Sequence, residues 1–208
     1  MITSSAYHPT ASNLILYSTS KGIIKVGDLR QSSLSDNSAM TFEEDLSGVK
    51  KNFFTEIVAS VSDAIYTTDG KNILSRDFLN VKVWDLRKQT KPTTIIPLFD
   101  PLKSKLCELY ENEAIFDKFN LASSPCSNYF ITGMFNSNFH VVDKAGDKNF
   151  QFELTFSKKN LIKKLPKNYY EQLGADYDFD KKVLNCCWHP KKNIIAVSCL
   201  NCLFFYNA

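Results

Sequence analysis

Short apolar runs separated by turn residues recur along the chain in groups of three. The first group is ITSSAYHP, LILYSTSKG and IIKVGDLR, and the second is VASVSDAIYTTDG, NILSRDF and VKVWDLR. The third is AIFDKFNLASSPCS, YFITGMFNSN and FHVVDKAG, and the fourth is VLNCCWHPKKN, IIAVSCLN and CLFFYNA. Val, Ile, Phe and Tyr fill the runs, while Gly, Asn, Asp, Ser and Pro fill the gaps, which is strand-and-turn chemistry. A further β-rich run follows three of the groups, as AMTFEE, TTIIPLF and FQFELTF. An aspartate closes the third run at Asp28, Asp85 and Asp143.

Runs such as IIKV, NIIAV and YFIT are continuously apolar, as expected for sheets covered on both faces. A four-stranded unit of this kind cannot bury both faces alone and must stack on its neighbours. The pattern therefore predicts an all-β chain of about four blades of a WD-repeat β-propeller. The units fall roughly at residues 1–46, 53–99, 114–156 and 183–208, with a variable loop at 157–182. The interval between the aspartates exceeds the ~40–45 residues of a common WD repeat, so the loops carry insertions. A β-sandwich of similar strand count is the competing fold. The repeated aspartate and two matching His-Pro turns, His8-Pro9 and His189-Pro190, favour the propeller.

Composition narrows the chemistry. The chain has 208 residues, 23% of them charged, with a net charge of +3. That charge is too small to argue for a nucleic-acid partner. No apolar run approaches the ~20 residues of a membrane helix, and MITSSAYHPT lacks a secretory pattern. The six cysteines cluster late, unlike a secreted disulfide scaffold, so a cytoplasmic or nuclear location is expected. CCWHP followed by CLNC offers Cys186, Cys187, His189, Cys199 and Cys202 as zinc ligands. The alternative has reduced cysteines packing as small apolar groups on adjacent strands. No Gly-rich phosphate loop or G-x-S-x-G elbow is present, so neither catalysis nor a cofactor is expected. The three histidines offer little for acid–base work, since two sit in the repeated turns and His140 lies within NFHVVD. SKKNLIKKLPKN, with five lysines, reads as a solvated loop or as a basic docking or localisation surface.

The stretch LYENEAIFDKF, Leu109–Phe119, packs aromatics, acids and lysine together with no clean period. It connects the second unit to the third, and either plugs the join between blades or presents a surface to a partner. Preceded by KSKLCE, and upstream by FFTEIVASVSDAIYTTDGKNILSRDFLNVKVWDLR, it resembles the B-type, 55-kilodalton regulatory subunit of protein phosphatase 2A. YSTSKGIIKVGDLR, FEE and CWHPKKNIIAVSCLNCLFFYNA extend the resemblance along essentially the whole chain, most weakly between Ser157 and Lys182. The resemblance implies the last four blades of a seven-bladed, non-catalytic subunit that recruits substrates to a serine/threonine phosphatase. Implied partners are the phosphatase catalytic subunit, a helical-repeat scaffold subunit and phosphoprotein clients, with no nucleic acid and no membrane. The family's scaffold-gripping arm comes from an early blade without a counterpart here. Carried over by position, its substrate-recruiting groove corresponds to Phe53, Phe54, Ile57, Tyr110, Glu113, Phe116 and Lys118. The family has aspartate where Glu113 stands, so the charge is kept and its reach changes. A generic WD-repeat interaction scaffold without a phosphatase link is the alternative.

Overall fold

The computed structural model describes residues 1–31, 40–44, 52–154, 162–164 (backbone only) and 178–207. The chain divides into two compact units, Met1–Leu98 and Phe99–Ala208.

The first unit holds two four-stranded sheets. One is β1 (Ile2–Tyr7), β2 (Leu14–Thr19), β3 (Ile24–Asp28) and β4 (Met40–Phe42); after helix α1 (Phe53–Val58) comes the other, β5 (Asp63–Tyr66), β6 (Asn72–Arg76), β7 (Asn80–Asp85) and β8 (Thr94–Pro97). Both are antiparallel meanders with strands in chain order. Leu16, Ile24, Val26 and Phe42 of the first sheet share one core with Ala64, Tyr66, Ile73 and Trp84 of the second. Trp84 lies edge-on to Phe42 at 5.9 Å, and its indole N–H donates to Ser75 Oγ at 2.9 Å, so burying that polar edge is compensated.

The second unit begins with a 3-10 turn (Asp100–Lys105), helix α2 (Leu106–Glu111) and a second 3-10 turn (Ala114–Phe116). A sheet of β9 (Leu121–Ser123), β10 (Tyr129–Gly133), β11 (Asn138–Asp143), β12 (Asn149–Glu153) and β13 (Ile162–Lys164) follows, then a three-stranded sheet of β14 (Cys186–Trp188), β15 (Ile194–Cys199) and β16 (Cys202–Asn207). Ile131, Phe139, Val183, Trp188, Ile195 and Val197 form their shared core. Four separate sheets, each a meander in chain order, are propeller blades of WD-repeat type; a sandwich would divide its strands between two sheets.

Two details depart from the pattern read in sequence. The apolar run starting at Ala114 contains no strand before Leu121, because Ala114 and Ile115 are buried in a 3-10 turn instead. Backbone pairing of β13 with β12 also places a strand inside the span 157–182 expected to be loop. Most of that span, including most of the lysine-rich stretch, lies outside the described residues.

The repeated aspartates have a common physical task. Asp28 and Asp85 end β3 and β7, and each accepts the backbone N–H of the arginine two residues on, at 3.0 and 2.9 Å. Each also pairs with that arginine's guanidinium through both carboxylate oxygens. The motif DLR thus closes its own turn. Asp143 does the same job with a different partner, the N–H of Lys148 at 3.0 Å. Hydrogen bonds from the Arg87 side chain and backbone hold the Asp85 carboxyl down to about 2. Arg30, joined by Asn13, depresses Asp28 well below the usual carboxylate range. Both groups therefore contribute stability above the ordinary carboxylate pKa of ~3.9, and that contribution is lost as pH falls toward ~2. Urea melts between pH 5 and 2 should show this loss, and Asp85→Asn should flatten part of it; an unchanged slope would mean that the pairing adds nothing to folding.

The His-Pro turns are built alike. His8 Nδ1 accepts the Ala11 N–H at 3.0 Å, and His189 Nδ1 accepts the Lys191 and Lys192 N–H groups at 3.1 Å. His8 Nε2 also donates to Gly70 O at 3.0 Å, tying the first sheet to the β5–β6 turn. These imidazoles are structural pins, as their repetition in sequence suggests.

Candidate functional site

The seven residues expected to recruit clients lie on the connections that lead into β5 and β9. Phe53, Phe54 and Ile57 belong to the first unit; Tyr110, Glu113, Phe116 and Lys118 belong to the second.

Helix α1 starts with a reciprocal cap. Asn52 Oδ1 accepts the Thr55 N–H at 2.8 Å, and Thr55 Oγ1 accepts the Asn52 N–H at 2.9 Å. At its other end the Phe78 N–H, from the β6–β7 turn, donates to Val58 O at 3.3 Å, and just beyond the helix the Val61 N–H reaches Thr19 O at the end of β2 at 3.4 Å. The helix is therefore fixed to its sheets by backbone while no residue in it is buried. Phe53 is 62% exposed and packs edge-on against Phe54 at 5.5 Å; Phe54 and Ile57 are half-buried. Helix α1 is thus anchored through its backbone while it presents Phe53 to solvent.

In the second unit α2 has one committed face. Leu109 and, in the preceding turn, Leu102 are fully buried, so the spacing of these leucines turns Cys107, Glu108, Tyr110 and Glu111 to solvent. The chain then reverses at Glu113, which adopts a left-handed conformation with φ 58° and is exposed. That reversal brings Phe116 back onto Tyr110, ring to ring at 5.7 Å and edge-on. Tyr110 is 41% and Phe116 53% exposed, and Lys118 is exposed beside them. Between them the alternating residues face inward: Ile115 is buried, Asp117 is largely covered, and Phe119 packs against Phe99 and Phe135. Within LYENEAIFDKF, Tyr110–Glu113 are exposed, Ala114 and Ile115 are buried, and covered and exposed side chains alternate from Ile115 to Phe119.

Glu113 supplies a separate test. A left-handed conformation costs an L-residue about 1–2 kcal/mol, part of which glycine returns through its freer unfolded chain. Glu113→Gly should raise stability by ~0.5–1 kcal/mol in denaturant melts while removing the charge. A fall in stability would show that the carboxylate itself holds the reversal.

Several features escaped sequence reasoning. Glu108 and Glu111 add negative charge beside Tyr110, a signal legible only once the leucine spacing is read as helical. Lys82 bridges Glu44 and Asp77 at 2.6 and 2.9 Å, linking the segment after β4 to the β6–β7 turn. The Lys182–Asp117 pair, at 2.6 Å, joins residues far apart in the chain.

The cysteines considered as zinc ligands are engaged separately. Cys199 and Cys202 pair across the β15–β16 turn, with Leu200 left-handed at φ 53°. Cys199 Sγ meets Ser137 Oγ at 3.4 Å, Cys186 Sγ meets Asn120 O and Ile131 O at 3.7 Å, and Cys187 is exposed. Among the described residues no group of three or more His, Cys, Asp or Glu is arranged to hold a metal ion. Among them, too, no helix is long and apolar enough to cross a membrane.

No protein-family model matches the chain. Curated relatives do. The chain is 41% identical, over its full length, to the serine/threonine-protein phosphatase 2A regulatory subunit phr2AB of Dictyostelium discoideum, covering 46% of that protein. Over 99% of its length it is 38% identical to the protein phosphatase PP2A 55 kDa regulatory subunit of Drosophila melanogaster, covering 43% of it. Over the same share it is 37% identical to the gamma isoform of the 55 kDa regulatory subunit of Homo sapiens serine/threonine-protein phosphatase 2A, covering 48% of it. Along its whole length the chain is a homologue of 55 kDa B-type regulatory subunits of protein phosphatase 2A. It spans about half the length of the curated relatives it matches. Those relatives are named for regulation rather than catalysis, in keeping with the blade fold and with what the sequence motifs imply.

Proposed function

We propose that this chain is a non-catalytic regulatory component of a protein phosphatase 2A complex that presents phosphoprotein clients to a separate catalytic subunit. The observation that carries the reading is similarity of 37–41% identity, along the whole chain, to proteins named regulatory subunits of protein phosphatase 2A. The exposed aromatics on the two inter-blade connections support it physically. Aromatic anchors contribute contact area at low entropy cost, and flanking charges set register and association rate. Phe53, Phe54 and Ile57 on one connection and Tyr110, Glu113, Phe116 and Lys118 on the other are the proposed client contacts. Affinity at each need only be modest, because catalysis would follow on a tethered neighbour.

Affinity purification of the tagged chain followed by mass spectrometry tests the assignment. Recovery of phosphatase catalytic subunits is the expected result. Their absence beside other reproducible partners would overturn it in favour of an interaction scaffold without a phosphatase link.

A further inference from the structure

We propose that Asp117 and Lys182 form a positioning pair that holds the Phe116 and Lys118 side chains in their outward arrangement; the functional part of this inference rests on the recruiting role proposed above. Asp117 stands between those two exposed residues, yet its own side chain is only 12% exposed. Its backbone leaves the 3-10 turn for an extended conformation (φ −62°, ψ 130°), while its N–H still bonds Ala114 O at 3.2 Å. This is the point where the chain passes from turn to extended strand approach, and so where the direction of Phe116 and Lys118 is decided.

The partner is a fixed post. Lys182 pairs through its backbone with Phe135 in the β10–β11 turn. On either side of it the Val183 N–H donates to Met134 O at 2.9 Å and the Ser137 N–H to Lys181 O at 2.8 Å. Gly133 makes the approach possible, since a Cβ there would stand 1.7 Å from Val183 O. From this post Lys182 Nζ reaches Asp117 Oδ1 at 2.6 Å. The other carboxylate oxygen of Asp117 is buried with no hydrogen-bond partner among the described residues, so Lys182 is the principal counter-charge that keeps the group in place. Removing the lysine leaves a buried carboxylate unpaired, and removing the carboxylate leaves a half-exposed lysine that water can solvate. The two deletions are therefore unequal, with Lys182→Met the more severe.

The test needs no client. With 4-fluorophenylalanine at position 116, the native chain should give one narrow fluorine resonance displaced from the free amino acid by the Tyr110 ring. Asp117→Asn should move it part of the way to the free value and broaden it, and Lys182→Met should move it further. The exchanged pair Asp117→Lys with Lys182→Asp should restore it. All spectra are taken well below each variant's melting temperature. An unchanged resonance in both single variants would overturn the proposal even if melting temperature fell, since the pair would then serve stability alone; loss of folding in Lys182→Met leaves Asp117→Asn and the exchanged pair to decide. Binding to a randomised phosphopeptide library provides the functional readout, with about a tenfold loss expected for Asp117→Asn and recovery in the exchanged pair. If Phe116→Ala leaves library binding intact, the recruiting role fails, and the tether is judged by the fluorine signal alone.

Discussion

Tyr110→Ala and Phe116→Ala should each weaken client binding about thirtyfold, the ~2 kcal/mol typical of truncating a central aromatic anchor. Melting temperature should stay near native. The physical reason is exposure: the rings are 41% and 53% open to solvent and meet each other edge-on at 5.7 Å. Losing one edge-on contact between half-exposed rings costs ~0.5–1.5 kcal/mol beyond the small area that it buries. Lys118→Glu should behave differently. A rim charge acts mainly on association rate, so its effect should shrink as salt rises. Titration of the phosphopeptide library at two ionic strengths, beside thermal melts, separates these outcomes. A large drop in melting temperature for both aromatic variants would mean that the surface is core and that the proposed contacts are wrong.

Phe119→Ala, three residues after Phe116, should do the reverse. Its ring is 1% exposed and packs within 5.6 Å of Phe99 and 5.1 Å of Phe135. Phe135 in turn meets Phe179 at 5.2 Å. Removing the ring opens a cavity inside this aromatic cluster, and such truncations cost ~3–5 kcal/mol. The loss would be read as a lower urea midpoint with unchanged slope. Phe119→Leu should recover much of the stability, because volume is largely kept. A near-native melt for Phe119→Ala would show that the cluster collapses around the void, and that the connection into β9 is held by its backbone rather than by this ring.

The contrast between Phe116 and Phe119 marks where sequence reading stops. Outside the run at Ala114 and β13, strand content was legible because it is local: β-branched and aromatic runs bounded by turn residues recur, and DLR carries its own hydrogen-bonded closure at Asp28 and Asp85. The His-Pro turns were legible for the same reason, since each imidazole serves backbone donors two to three residues away. Motif resemblance supplied the family and the candidate contacts. That resemblance singled out Tyr110 and Phe116 in LYENEAIFDKF, but the residue pattern by itself could not say which aromatic faces water, because no periodicity covers a stretch that passes from α2 through a left-handed Glu113 into a 3-10 turn. That orientation follows from tertiary contacts: Phe99 and Phe135 take up Phe119, while Phe116 meets the half-exposed Tyr110 ring. The Asp117–Lys182 pair was equally invisible, as its members meet only when the β10–β11 turn brings the segment before β14 beside the turn before β9. Charges distant in sequence carry no local signal of their pairing, whereas turns and strands are encoded within a few residues; that difference in range separates what this sequence determined alone from what the folded chain decided.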